Sequence, residues 1–122
     1  MIDSEIIYRG RCFAISGITV KGKCLAQEFI EDLEEPDEKK LVALLRRTAD
    51  NGLPRNKEKF KHLKDKICEF KSYQVRILCF LDENKLIILT HGFIKKQDKT
   101  PRSEIERAQK LMEDYQQRGK KK

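Results

Sequence analysis

No apolar run in this chain approaches the ~20 residues that a membrane-crossing helix requires, so a spanning protein is not expected. The opening Met1-Ile2-Asp3-Ser4-Glu5 lacks the basic-then-apolar order of an export signal, which points to a soluble cytoplasmic protein. Cysteine is sparse and scattered. Cys12, Cys24, Cys68 and Cys79 form no CxxC pair, and the two histidines, His62 and His91, stand at no zinc-ligand spacing from them. Cys68 and Cys79 lie in apolar runs, where a thiol behaves as a small hydrophobe, so reduced buried cysteines and no metal or other cofactor are expected. Internal repeats are absent, and no helix-turn-helix pattern is evident, which argues against a DNA-binding regulator.

What is present is charge. At 122 residues the chain has room for one modest core, and 39% of it is ionised. We expect a single domain over 1–118 and a disordered basic tail at 119–122. The net charge of +7 is unevenly spread: residues 1–54 carry 8 Lys/Arg against 10 Asp/Glu, whereas 55–122 carry 19 against 10. The acidic groups concentrate between Glu28 and Glu38, a stretch with seven carboxylates and no Lys or Arg. A basic C-terminal half attracts a polyanion and speeds encounter with it. A solvated helix face and a solubilising surface would produce the same counts, so charge alone does not decide for nucleic acid.

Tyr8 to Val20 reads as one or two short strands broken at Ser16-Gly17. From Leu25 the period becomes helical, with Leu25, Phe29, Ile30 and Leu33 on one face. Pro36 suits the first position of a second helix, Leu41, Val42, Leu44, Leu45 and Ala49 supply its apolar side, and Asn51-Gly52 ends it. Leu53 to Lys61 reads as a basic connection, with Phe60 and Leu63 pinning it to the core. Strands follow at Ile67–Phe70, Gln74–Leu81 and Leu86–Thr90, joined by turns at Lys71-Ser72-Tyr73 and Asp82-Glu83-Asn84. Alternation along the middle strand places Arg76 on a face shared with Leu78 and Phe80, an unusual position for an unpaired charge. Thr100 suits an N-cap and Pro101 the first residue of a last helix, whose buried line is Ile105, Ala108, Met112 and Tyr115. The fold class is therefore α+β: N-terminal strand or strands, helical hairpin, antiparallel β-meander and C-terminal helix.

From Phe60 onward the sequence resembles the HigB-like branch of the RelE toxin superfamily. The resemblance rests on Phe60-x-x-Leu63, Ile67-x-Glu69-Phe70-Lys71 and Val75-Arg76-Ile77-Leu78, then on Leu89-Thr90-His91-Gly92-Phe93-Ile94-Lys95-Lys96 and Lys99-Thr100-Pro101-x-x-Glu104-Ile105-x-x-Ala108. It covers about half the chain. Two positions depart from it: Lys71 stands where the family has an arginine, and Val75 where it has an aromatic. Lys71 keeps the charge but not the planar two-pronged grip on phosphate.

The resemblance implies a toxin of a type II toxin–antitoxin system that cuts messenger RNA without metal, acting on translating ribosomes. In that chemistry the ribose 2′-hydroxyl attacks its own 3′-phosphate and expels the next nucleotide's 5′-oxygen. A base, a stabiliser of the phosphorane and an acid are needed, and nothing in the sequence brings the two histidines together for those proton transfers. Arg76 is the candidate transition-state stabiliser, with a salt bridge to Glu69 as its compatible structural role. Lys71 is a candidate general base or phosphate clamp, against a plain solvated turn lysine. Lys95 and Lys96 leave the last strand as candidate phosphate holder and proton donor, or as charges that guard a sheet edge. Lys64, Lys66, Lys99 and Arg102 are expected contacts to the RNA backbone. His91 reads as a hydrogen-bonded, partly buried structural residue in phase with Leu89 and Phe93. Glu104 and Glu106 read as carboxylates suited to a helix start, and proton transfer by Glu106 is the remoter alternative.

The implied partners are a small antitoxin with a helix-turn-helix DNA-binding domain, messenger RNA and the ribosome. The rival readings are a toxin of the same fold that poisons another target such as DNA gyrase, and a non-catalytic RNA-binding module on the same basic face.

Overall fold

The computed structural model describes residues 1–83, 85–97 and 99–118. The basic tail expected at 119–122, and Asn84 of the expected hairpin turn, lie outside those residues. The chain opens with an antiparallel hairpin of β1 (Ile2–Arg9) and β2 (Ala14–Val20). This corrects the expected break at Ser16-Gly17, because β2 runs straight through both residues. The turn falls instead at Gly10–Phe13, where a distant helix holds it. The carbonyl of Ala49 accepts the N–H groups of Cys12 at 2.8 Å and Phe13 at 2.9 Å. Gly10 lies against the Ala49 backbone so closely that a Cβ would collide with it.

A two-residue strand β3 (Lys23–Cys24) pairs with β2 and leads into α1 (Leu25–Asp32) and α2 (Glu35–Asn51), the helical hairpin read from the sequence. Glu35 rather than Pro36 is the first residue of α2. Proline costs nothing at either position, since the N–H groups of the first turn have no partner in the helix. Glu35, Asp37 and Glu38 fill that first turn, where the helix dipole favours carboxylates. Gly52 ends the helix at φ 99°, a backbone conformation that side chains resist.

The meander has one strand more than expected. Phe60–Lys64 is not a connection but β4, paired with β5 (Ile67–Ser72), which is followed by β6 (Val75–Asp82) and β7 (Leu86–Ile94). Lys61, His62 and Lys64 are all exposed, so β4 shows no apolar alternation to betray it. Cationic side chains on an edge strand discourage pairing with other chains. The Phe60 and Phe70 rings, 4.9 Å apart, fasten it down. The β5–β6 turn lies one residue later than read, at Tyr73-Gln74, with Tyr73 at φ 57°.

The sheet order is β1-β2-β7-β6-β5-β4, with β2 and β7 parallel and the other neighbours on this path antiparallel. Side-chain alternation gives the sheet two buried faces. One packs Ile15, Phe70, Ile77 and Ile87 under Ile30, Leu41 and Leu45 of the helical hairpin. The other packs Ile18, Leu78, Phe80 and Ile88 under Ala108, Met112 and Tyr115 of α3 (Arg102–Gln117). The architecture is α+β and consistent with a RelE-like fold. Among the described residues no helix is long and apolar enough to cross a membrane.

Candidate functional site

Three buried titratable side chains interrupt the α3 face of the sheet: Glu69 on β5, Arg76 on β6 and His91 on β7. The register explains the grouping. Lys71 stands directly across from Arg76, and Phe93 across from Arg76 on the other side. Glu69, two residues before Lys71, shares its face. Two like charges opposite each other on one sheet face cost stability. Their pairing here leaves a cationic centre that a bound anion would relieve.

Arg76 is only 5% exposed. One terminal nitrogen of its guanidinium donates to the carbonyls of Tyr73 and of Val75, the latter at 3.0 Å. Its Nε lies 3.9 Å from the Glu69 carboxylate, which is beyond hydrogen-bonding distance, and has no hydrogen-bond partner among the described residues. Burial lowers the guanidinium's pKa from its ordinary value, and Glu69 opposes that shift. Glu69 is engaged elsewhere as well: Thr100 Oγ1 donates to its carboxylate at 2.7 Å. This corrects the expected role of Thr100. Pro101 occupies the cap position of α3 without any side-chain cap bond, and the Thr100 hydroxyl turns inward to the sheet.

Around this buried pair the surface is cationic. A cleft of about 400 Å³ is lined by Lys59, Lys71, Tyr73 and Arg76. A second, of about 220 Å³, is lined by Lys61, Glu69, Lys71, Lys95, Lys99 and Thr100. A third, of about 320 Å³, extends towards α2 between Lys40, Arg47, Lys71 and Tyr73. Lys71 lines all three. Its Nζ is 3.4 Å from the Lys57 carbonyl, its exposure is intermediate, and it is the hinge of the cationic surface.

Of the residues singled out from the sequence, Lys71 therefore shares one cleft with Arg76 and another with Lys95 and Lys99. Lys95 is held at the end of β7 by its N–H, which donates to the Gln74 carbonyl at 2.7 Å. Lys96 is exposed and lines none of the three clefts. Lys64, at the end of β4, and Lys66, in the following turn, are exposed and also outside them. Arg102 is exposed and pairs with Glu106 at 3.4 Å, one turn along α3. Lys40, Arg47, Lys59, Lys61 and Tyr73 were not singled out. They come from α2, the connection, an unread strand and a turn, and nothing in their spacing announces that they converge.

His91 is 2% exposed, and its Nε2 lies 2.9 Å from a Glu104 carboxylate oxygen. The phase expected for it is corrected by a bulge. Ile77 pairs with Gly92 but Cys79 pairs with Leu89, so Thr90 and His91 together oppose Leu78. The extra residue breaks the alternation with Leu89 and turns His91 towards α3. Burial lowers the imidazole's pKa, although the hydrogen bond to Glu104 works in the other direction. All four cysteines are free thiols.

No curated protein matches the sequence. The profile described as phage derived protein Gp49-like (DUF891) matches residues 28–113, from α1 to the last turns of α3. That match takes in most of the chain and every element that contributes to the cationic clefts. The chain therefore belongs to the Gp49-like family of phage-derived proteins, a RelE-like family associated with toxin–antitoxin systems.

Proposed function

We propose that this protein is the toxin of a type II pair, a cytoplasmic endoribonuclease that cuts messenger RNA on the ribosome through the cationic face centred on Arg76. One observation carries the reading: a nearly buried arginine with fixed orientation, directly across the sheet from Lys71, in a cleft that it lines with Lys59, Lys71 and the single carboxylate of Glu58. A guanidinium already locked by backbone carbonyls needs no reorganisation when negative charge builds on a phosphorane. The two lysines beside it suit a phosphate better than any neutral ligand.

The step balances without a co-reactant. The 2′-oxygen forms a bond to phosphorus while the bond from phosphorus to the 5′-oxygen breaks. One proton leaves the 2′-hydroxyl and one reaches the departing oxygen. Arg76 stabilises the phosphorane, Lys71 takes the first proton or clamps the phosphate, and Lys95 holds the phosphate or supplies the second proton. Lys99 grips the backbone nearby, and Lys64, Lys66, Lys96 and Arg102 act further out. Glu69 orients Arg76 through charge. Residues 1–118 act as one domain, and an antitoxin with a helix-turn-helix domain covers the protein in the inactive pair.

A second reading has an observation of its own. One nitrogen of Arg76 is spent on two carbonyls, as a purely structural arginine's would be, which favours a module that binds RNA on this face without cutting it. The two separate in a reconstituted translation reaction with the messenger's 5′ ends mapped by primer extension. Cuts that appear with the wild type and vanish with Arg76→Ala support the nuclease. Salt-sensitive RNA binding with no cuts supports the binding module, and normal translation without binding rejects both and leaves a same-fold poison of another target.

A further inference from the structure

We propose that the cleft towards α2 is a second subsite for single-stranded RNA, in which Tyr73 is the platform for one base and Lys40, Arg47 and Lys59 hold the backbone. The inference deepens the RNA-cutting reading and rests on it for the identity of the polymer. The subsite is continuous with the site above, because Lys59, Lys71 and Tyr73 line both the Arg76 cleft and the cleft that reaches α2. Lys40 and Arg47 are seven positions apart on α2 and line the same cleft, as residues two helical turns apart do. Among the described residues Glu58 is the one carboxylate that lines either cleft.

Tyr73 is 73% exposed, at the tip of the β5–β6 turn. A bulky residue at φ 57° is uncommon, and glycine or asparagine would serve the turn better. An aromatic kept there, in water and in a poor conformation, gains little for the fold. Its backbone carbonyl accepts the Arg76 guanidinium, so the platform is tied to the proposed catalytic arginine. Lys40 Nζ lies over one face of the ring, 4.3 Å from the centroid. The opposite face is then available to a base, stacked on a ring whose other side carries a cation. Alternation of a stacking surface with phosphate-binding cations is how proteins take up single strands without reading sequence. An acidic peptide would use the cations but not the bare ring face.

The test measures binding apart from cutting. Fluorescence anisotropy is read on a labelled oligonucleotide of about nine residues, a length that spans an ordinary single-strand site. Its riboses are 2′-O-methylated and so cannot attack. Tyr73→Asn suits the left-handed turn and leaves folding intact. It is expected to raise Kd about tenfold, the weight of one stacked base, while Tyr73→Trp keeps wild-type affinity. Lys40→Gln with Arg47→Gln is expected to flatten the slope of log K against log salt by about 1.4, two phosphates' worth on a single strand. Wild-type affinity in Tyr73→Asn together with an unchanged salt slope in the double variant overturns the subsite. So does a wild type that binds no oligonucleotide, and so does weakened binding of an acidic peptide with RNA binding untouched, which would make this face a protein interface. A wild type that binds the methylated strand but leaves unmodified messenger intact defeats the nuclease reading alone, and the subsite still stands or falls on the variants.

Discussion

The Nε of Arg76 lies 3.9 Å from the Glu69 carboxylate, and Thr100 Oγ1 donates to that carboxylate at 2.7 Å. The two charges neutralise each other in the interior without closing a hydrogen bond. Glu69 compensates the buried cation, yet it does not consume the guanidinium's capacity for a further anion. Lys71 opposite then tips the local balance positive.

From this follows a prediction for the conservative change at the centre. Arg76→Lys keeps a cation but loses the planar fork, so messenger cleavage should fall about 100-fold or more. Steady-state cutting by the purified variant checks this. Undiminished cutting would mean that charge alone is needed at that position.

Stability should respond to the other half of the pair. Glu69→Gln can still accept from Thr100 but leaves Arg76 without a counter-charge. Removal of one partner from a buried pair costs about 3 kcal/mol, and the long separation here brings the expectation nearer to about 2 kcal/mol. Thr100→Val removes one part-buried hydrogen bond and should cost about 1 kcal/mol. Urea unfolding of the two variants gives both numbers, and a neutral Glu69→Gln would show that the pair carries no weight.

The buried imidazole sets a pH dependence. Burial lowers the folded-state pKa of His91, whereas in the unfolded chain it titrates near ~6.5. Between the folded value and that point the unfolded state binds more protons, so stability rises with pH there. The contribution is complete above ~6.5 and is lost as pH falls towards the folded pKa. Urea midpoints measured from about pH 7.5 down to about pH 5 should decline more in the wild type than in His91→Gln. Parallel declines would assign the acid sensitivity to other groups.

Gly10 offers a test of the fold away from the site. A methyl group there meets the Ala49 backbone, which cannot yield because its carbonyl already holds Cys12 and Phe13. Gly10→Ala should cost about 3 kcal/mol in a urea titration. A stable variant would mean that the β1–β2 turn can move off the end of α2.

Elements whose burial leaves a periodic trace were legible in the sequence. Leu41, Leu45 and Ala49 marked one face of α2, and Val75 to Phe80 marked a strand covered on both sides. Arg76 was conspicuous because a charge within that run has to be paired or functional. The misses have physical reasons. β4 is an edge strand with exposed cations, so it carries no alternation. The β1–β2 turn is fixed from Ala49, some 40 residues away, and no local pattern encodes that. The bulge at Thr90-His91 shifted the phase of β7, as an extra residue does without a sequence mark of its own. Lys40 and Tyr73 come together only because α2 passes the turn end of the β5–β6 hairpin.

The central claim is that the Arg76 face cuts RNA through the ribose's own hydroxyl. It is tested most directly by the chemical ends that the purified protein leaves on a messenger in a translation reaction. The account predicts a 2′,3′-cyclic phosphate on one fragment and a 5′-hydroxyl on the next, with both missing when Arg76→Ala replaces the wild type. Fragments that carry 5′-phosphates, or intact messenger, would contradict it.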